Sequence, residues 1–271
     1  MDNPQLPIGV FDSGVGGLTV LRALHARLPR ESLLYLGDMA RLPYGSKSPQ
    51  TVSRYARQAA EVLVARGIKL LVVACNTASA LALADLRAAF PRIPVVGVLE
   101  PGAAAACAAT RKKRIAVIAT EGTVRRGAYE RAIRAILPDA AVSAAACPLF
   151  VSLAEEGWHD GSVVEAVARH YLEPLFADAP PDVLLLGCTH FPVLASTLAA
   201  VVGPRTTLVD SAHTTAEAVG ELLATHNLAA EPAAEPSVHF MSTDSPERFI
   251  RVAAGFLPAA LHPRTVELID L

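Results

Sequence analysis

Two cysteines in matching settings are the residues of this chain best suited to chemistry. Leu70-Leu71-Val72-Val73-Ala74-Cys75-Asn76-Thr77 and Val183-Leu184-Leu185-Leu186-Gly187-Cys188-Thr189-His190 each pass from an apolar run through a small residue to a cysteine, then to amide- or hydroxyl-bearing residues. A short apolar run of this kind reads as a strand buried on both faces, with the cysteine at its carboxyl end and a helix opening beyond it. The positive end of a helix dipole favours an anion by about 0.3–1 kcal/mol, and that setting lowers a thiol below its usual pKa of ~8.5. Each cysteine is therefore expected to reach the thiolate near neutral pH. Two such groups facing across one cleft can invert a carbon centre. One thiolate removes a proton from one face, the opposing thiol supplies a proton to the other, and the roles exchange in reverse. Proton transfer alone contributes about 10²–10⁴-fold. A carbon acid beside a carboxylate needs more, so donors must meet that carboxylate in a dry cavity. Ser13, Asn76, Thr77 and Thr189 are suitable donors. Asp12 is placed to orient Cys75 or to meet an ammonium, and His190 to assist Cys188.

The elements that must hold these residues follow from hydrophobic patterning. Apolar runs rich in Val, Ile and Leu occur at Ile8–Phe11, Leu33–Leu36, Leu70–Ala74, Val95–Val98, Ile115–Ala119, Val183–Leu186 and Thr206–Val209. Helical patterns lie at Gly17–Leu28, Gln50–Arg66, Leu81–Phe90 and Arg125–Leu137, the last with an apolar stripe through Ile133, Ile136 and Leu137. This alternation predicts an α/β fold with mainly parallel sheets, in which ligands sit at the carboxyl ends of strands. Four polar clusters fall there: Asp12-Ser13-Gly14, Gly37-Asp38, Cys75-Asn76-Thr77 and Cys188-Thr189-His190. The repeated cysteine motif predicts two similar α/β domains with the active site in the cleft between them. Residues 1–97 plus 210–271 form the first and 98–209 the second, with crossings at Pro94–Pro101 and near Gly203–Asp210. Asn227–Ser237, rich in Ala, Glu and Pro, reads as an exposed loop.

Composition narrows the function. At 271 residues the chain is long enough to bury a core without a metal or disulfide. A net charge of −2 argues against nucleic acid or an anionic membrane as partner. An apolar fraction of 52% excludes general disorder. The apolar stretch Leu70–Ala84 is interrupted by Asn76, Thr77 and Ser79, too soon for a membrane span. The N-terminus has no signal-peptide pattern, so a cytoplasmic protein with free thiols is expected. Cys75, Cys107, Cys147 and Cys188 have no CxxC spacing, which argues against a metal site. Cys107 and Cys147 read as core. Gly14-Val15-Gly16-Gly17-Leu18-Thr19, with Asp38 following the next strand, has the outline of a dinucleotide loop. However, Thr19 replaces the last small residue and Asp12 would repel a pyrophosphate. The glycines read instead as room for a small anionic substrate. Pyridoxal phosphate would need a Schiff-base lysine. Lys69, Lys112 and Lys113 border strands on the wrong side, and Lys47 lies in a polar loop. No cofactor is expected. Two other readings are a Cys188–His190 hydrolase, whose pair is poorly spaced for a hydrogen bond and leaves Cys75 unused, and a binding module built on the Gly14–Gly17 loop.

The series Gly9-Val10-Phe11-Asp12-Ser13-Gly14-Val15-Gly16-Gly17, Gly37-Asp38, Pro43-Tyr44-Gly45, Ala74-Cys75-Asn76-Thr77-Ala78 and Gly187-Cys188-Thr189-His190-Phe191-Pro192 resembles the bacterial glutamate racemases, in the family's order and up to about Ala212. The resemblance implies a cofactor-independent enzyme that interconverts L- and D-glutamate for peptidoglycan. It implies two α/β domains, commonly assembled as a homodimer. It makes Cys75 and Cys188 the acid/base pair, with Asp12 and His190 assisting them. The implied pocket is lined by Asp12-Ser13, Tyr44-Gly45, Asn76-Thr77 and Thr189-His190. It also implies an assisting Glu155, in a segment where Ser152 replaces a proline and Ala154 a valine, and places Thr120 and Thr123 near the substrate carboxylate, with Ala119 where glycine is usual. Related aspartate racemases tend to carry Glu at the position of His190, so this histidine points to glutamate.

Overall fold

Strands that are apolar on both sides need cover on both faces, and regular alternation with helices provides it. The chain runs β1 (Ile8–Asp12), α1 (Leu18–Arg27), β2 (Leu33–Gly37), α2 (Pro49–Ala65), β3 (Leu70–Val73), α3 (Asn76–Ala89), β4 (Val95–Gly97), α4 (Leu99–Ala109), β5 (Arg114–Ala119), α5 (Glu121–Arg126) and α6 (Ala128–Ile136). It continues with β6 (Ala141–Ala146), α7 (Pro148–Glu155), α8 (Ser162–Phe176), β7 (Val183–Gly187), α9 (Ala195–Val202), β8 (Thr207–Asp210), α10 (Ser211–Thr225), β9 (Val238–Ser242), α11 (Pro246–Ala253) and β10 (Glu267–Leu268). This computed structural model describes residues 3–231 and 236–271. Its strands form two sheets, ordered β10-β9-β2-β1-β3-β4 and β6-β5-β7-β8, with every neighbouring pair parallel.

Both sheets contain the same arrangement, a second strand beside a first, then a third and a fourth. Cys75 follows the third strand of one sheet and Cys188 the third strand of the other. Strand parity then decides where each thiol points. Leu70 and Val72 face one core, while Leu71, Val73 and Cys75 face the other. Val183 and Leu185 face one core of the second sheet, while Leu184, Leu186 and Cys188 face the other. A one-residue slip in either strand would send its thiol to the wrong face.

Several expectations are corrected by packing. β6 is an alanine-rich, half-exposed edge strand with no apolar run to reveal it. β9 and β10 add to the first sheet from a C-terminal region with no strand expected. The helix expected over Arg125–Leu137 breaks at Gly127, whose φ of +61° is a left-handed conformation that favours glycine. Its stripe holds at Ile133, but Ile136 is 53% exposed. α3 starts at Asn76, ahead of the expected Leu81. Within Asn227–Ser237, Leu228 and Ala230 are buried rather than exposed, and residues 232–235 lie outside the described residues.

That burial has an electrostatic cause at the amino ends of the strands. Lys69 Nζ lies 2.5 Å from Glu31 Oε2 and donates to the Pro4 carbonyl at 2.6 Å. Glu31 Oε1 accepts the Ala230 N–H at 2.8 Å. Both charged residues are buried, so one pair ties the entry to β2, the entry to β3, the N-terminal segment and the stretch after α10. Removing one partner of a buried pair strands the other charge and costs about 3–5 kcal/mol, whereas replacing both with apolar groups is often close to neutral. Lys69→Met is expected to lose stability in that range by urea denaturation, and Lys69→Met/Glu31→Leu to recover most of it. A single-variant loss below about 1 kcal/mol would contradict this account.

Candidate active site

The carboxyl ends of the two sheets enclose a cavity of about 290 Å³. Ser13 and Gly14 reach it from the end of β1, Cys75 from β3, Thr120 from β5, and Cys188, Thr189 and His190 from β7. The segment 42–46 after β2 and one side of α7, through Val151, Ser152 and Glu155, complete the wall. Both expected thiols therefore line a single space. Asp12, Asn76, Thr77 and Thr123 stand behind this lining rather than in it.

Cys75 caps α3. Its Sγ accepts the Ala78 N–H at 3.5 Å and lies 3.5 Å from Ser13 Oγ. The expected lowering of its pKa is nevertheless overturned. Burial, joined by the Asp12 carboxylate, pushes the thiol from near 9 up to about 12 against the pull of those two hydrogen bonds. A rise of that size corresponds to roughly 4 kcal/mol, several times what a helix end supplies. Asp12 is itself fully buried. Burial raises its carboxyl above the usual range, while the charge of His190 and the backbone N–H groups of Gly17, Gly14 and Ser13 oppose that rise. It accepts from Gly14 at 3.0 Å and from the Thr189 hydroxyl at 3.5 Å. It thereby organises the glycine loop and links the two cysteine clusters.

Cys188 has a different surrounding. It is followed by a turn and a short 3-10 helix rather than directly by an α-helix, so the expected helix-end setting applies to Cys75 alone. The turn corrects a second expectation, because it brings His190 Nδ1 to 3.8 Å from Cys188 Sγ despite the two-residue spacing. His190 Nε2 lies 3.2 Å from Glu155 Oε1 at the end of α7, which forms with Ser152 and Ala154 in place. Burial alone would keep His190 neutral. Its hydrogen bonds to Cys188 and Glu155, with the charges of Cys188 and Asp12, outweigh that and raise it to about 10. Glu155 moves the other way: burial acts to raise its carboxyl, but His190 and Arg248 hold it below the usual carboxylate range.

The remaining expected residues serve one another. Thr77 Oγ1 lies 2.9 Å from Thr120 Oγ1 and 3.4 Å from Thr123 Oγ1, a hydroxyl cluster of which Thr120 reaches the cavity. The Asn76 Oδ1 accepts the Tyr129 hydroxyl at 2.5 Å, while its buried Nδ2 has no partner among the described residues. Tyr44 donates to Asp38 at 2.5 Å, and Arg41 and Thr243 also bond that carboxylate. Asp38 is thus committed to protein partners rather than facing the cavity, which removes the dinucleotide outline. A side chain at Gly16 would collide with His190 and Thr189, and one at Gly45 would meet Thr120 Cβ at 2.7 Å. Lys69 belongs to the opposite end of the sheet. Cys147 is core, as its sequence suggests, and Cys107 is only partly buried. Tyr129 belongs to no local motif and Arg248 has the sequence character of a solvated helix residue, so neither signals in the sequence the contact it makes, Tyr129 with Asn76 and Arg248 with Glu155.

Residues 8–219 match the family model described as Asp/Glu/Hydantoin racemase. The glutamate racemase of Geobacter metallireducens is 51% identical over 258 residues, 95% of this chain and 95% of its own. The glutamate racemase of Francisella tularensis, solved in complex with D-glutamate, aligns with a TM-score of 0.91 at 35% identity over 98% of each chain. A glutamate racemase isoform of Bacillus anthracis aligns with a TM-score of 0.93 at 37% identity over 99% of each.

The raised pKa of His190 has a consequence for stability. A folded-state pKa near 10 against a usual 6.5 means the native state holds a proton that the unfolded chain releases. The contribution is complete below about pH 6.5 and disappears as the pH rises through about 10. The stability difference between the wild type and His190→Asn, measured by urea unfolding from pH 6 to pH 10, is expected to shrink across that window. A difference that stays constant would show that His190 holds no such proton.

Proposed function

This chain belongs to the Asp/Glu/Hydantoin racemase family, and we propose that it racemises glutamate without a cofactor by direct proton transfer through two thiols, Cys75 and Cys188. The observation that carries this reading is that equivalent strands of two sheets deliver one thiol each to the same cavity. In one direction the Cys188 thiolate takes the α-proton and becomes a thiol, while the Cys75 thiol protonates the opposite face and becomes a thiolate. That end state is the one that accepts the product enantiomer, so the reverse reaction uses the same groups with roles exchanged. Negative charge on either sulfur opposes charge on the other. This keeps one acid and one base in place.

The two sides reach this state differently. A protonated His190 puts positive charge and an Nδ1 proton against Cys188. Burial and Asp12 hold Cys75 as the thiol. In the transition state charge develops on the substrate carboxylate. Ser13 and Thr120, with the 44–45 and 189 backbone, are its donors. The reading includes two domains, 1–97 plus 210–271 and 98–209, with the site between them. It includes a homodimer in the cytoplasm and a supply of D-glutamate for peptidoglycan, both of which rest on the likeness to glutamate racemases.

Incubation of reduced protein with L-glutamate or L-aspartate in D₂O, with no cofactor, is expected to give D-glutamate carrying α-deuterium and little D-aspartate on chiral chromatography. Cys75→Ala and Cys188→Ala are each expected to lose at least about 10²–10⁴-fold in turnover while remaining folded. Near-normal turnover in either variant would end the two-thiol reading. With one thiol removed, an analogue carrying a β-leaving group is expected to eliminate from one enantiomer only.

A further inference from the structure

Behind His190 stands a part of the chain beyond residue 219, where the family match ends. α11 is anchored on the first sheet by Phe249, Val252 and Ala253, all buried. From this base it makes two contacts with the Cys188 side of the cavity. Phe256, just past the helix, packs edge-on against the His190 ring with centroids 5.6 Å apart at 89°. Arg248 donates from a terminal guanidinium nitrogen to Glu155 Oε2 at 3.1 Å. Glu155 Oε1 is 3.2 Å from His190 Nε2, and His190 Nδ1 is 3.8 Å from Cys188 Sγ. The four side chains form one unbroken file from the surface to the sulfur. Arg248 is 44% exposed and Glu155 14%. An ion pair that is half in water adds little to stability, but it fixes the carboxylate plane. A carboxylate held by one oxygen can rotate; one held at both oxygens presents Oε1 to the histidine in a set direction.

We propose that Arg248 is a positioning residue for the Cys188 half of the reaction, clamping Glu155 so that His190 keeps Nδ1 aimed at the thiol. This inference rests on the two-thiol reading, and it assigns a function to a C-terminal helix outside the residues 8–219 that match the family model. The charged and titratable groups acting on His190 are Cys188, Glu155 and Asp12; those acting on Glu155 are His190 and Arg248. Removing a bystander cation and removing a clamp have opposite effects. If Glu155 stays in place without Arg248, the loss of a nearby positive charge raises the His190 pKa. If Glu155 swings away, His190 loses its carboxylate and its pKa falls.

The test compares the wild type with Arg248→Met, which keeps the aliphatic stem, and Arg248→Lys, which keeps the charge. The His190 titration, followed by NMR of protein labelled with ¹⁵N-histidine, needs no substrate and so reads the clamp even if glutamate is not turned over. It is expected to move to lower pH in Arg248→Met and to return most of the way in Arg248→Lys. A move upward, or none, overturns the proposal. Kinetics give the second readout. Two enantiomers have equal free energy, so kcat/KM must remain equal in both directions in every variant. Impairment of one thiol appears instead in the isotope effects of α-deuterated substrates. For the enantiomer deprotonated by Cys188 the effect is expected to rise, and for the other to shrink toward unity. Arg248→Met is expected to lose about tenfold in kcat/KM with the two isotope effects moved apart. A loss under twofold, or isotope effects that change together, overturns the proposal. A wild type that titrates as described but does not racemise glutamate would refute the substrate reading and leave the clamp standing.

Discussion

Two sulfurs that share one small, largely apolar cavity cannot both carry charge. This constraint governs the molecule. Under the proposed two-thiol reaction it requires the groups behind each sulfur to differ, so that one serves as acid while the other serves as base. It also requires the backbone to present the two sulfurs in equivalent ways, because a racemase must run equally well in both directions. The fold meets the second demand by repetition, with the same strand order in both sheets and a cysteine after the same strand in each. It meets the first by breaking the repeat immediately after each cysteine.

The break is visible residue by residue. After Cys75 the chain enters a long helix, and the groups nearest the sulfur are a hydroxyl, a backbone N–H and a buried carboxylate. After Cys188 the chain turns, and a histidine folds back onto the sulfur with a carboxylate behind it. An anion thus backs one thiol and a cation the other. Asp12 is common to both, since it raises Cys75 directly and contributes to the charge of His190. Thr189, bonded both to Asp12 and through its carbonyl to Thr19, joins the two sides mechanically.

Much of this was legible in the sequence because burial on both faces leaves a strong signal. The strands that bear the thiols are continuous apolar runs, and the pleat fixes the side on which each cysteine emerges. The polar clusters after β1, β3 and β7 were legible for the same reason, since polar residues stand out at the ends of such runs. Quantities that depend on three-dimensional surroundings were not. The dipole at Cys75 can be read from sequence, but the larger effect of burial cannot. The approach of His190 to Cys188 depends on a turn where helical spacing would have kept them apart. β6 carries alanines on a half-exposed edge, so no periodicity marks it. Arg248 has the sequence character of a solvated residue and acquires a partner only through the tertiary fold.

The path of the chain also sets an order of assembly. The second sheet is built from one uninterrupted stretch, 114–210, whereas the first is split around it and is completed by β9 and β10. On a ribosome, where domains fold as units while the rest is still emerging, the inserted sheet has all its strands while the first still lacks an edge. The same late segment carries Ala230 to the buried Glu31, and Phe256 and Arg248 to the walls behind Cys188. A nascent or C-terminally truncated chain would therefore hold Asp12, both cysteines, Glu155 and His190 but lack Phe256 against the His190 ring and Arg248 on Glu155. The support behind the Cys188 side of the cavity is complete only when synthesis is nearly finished.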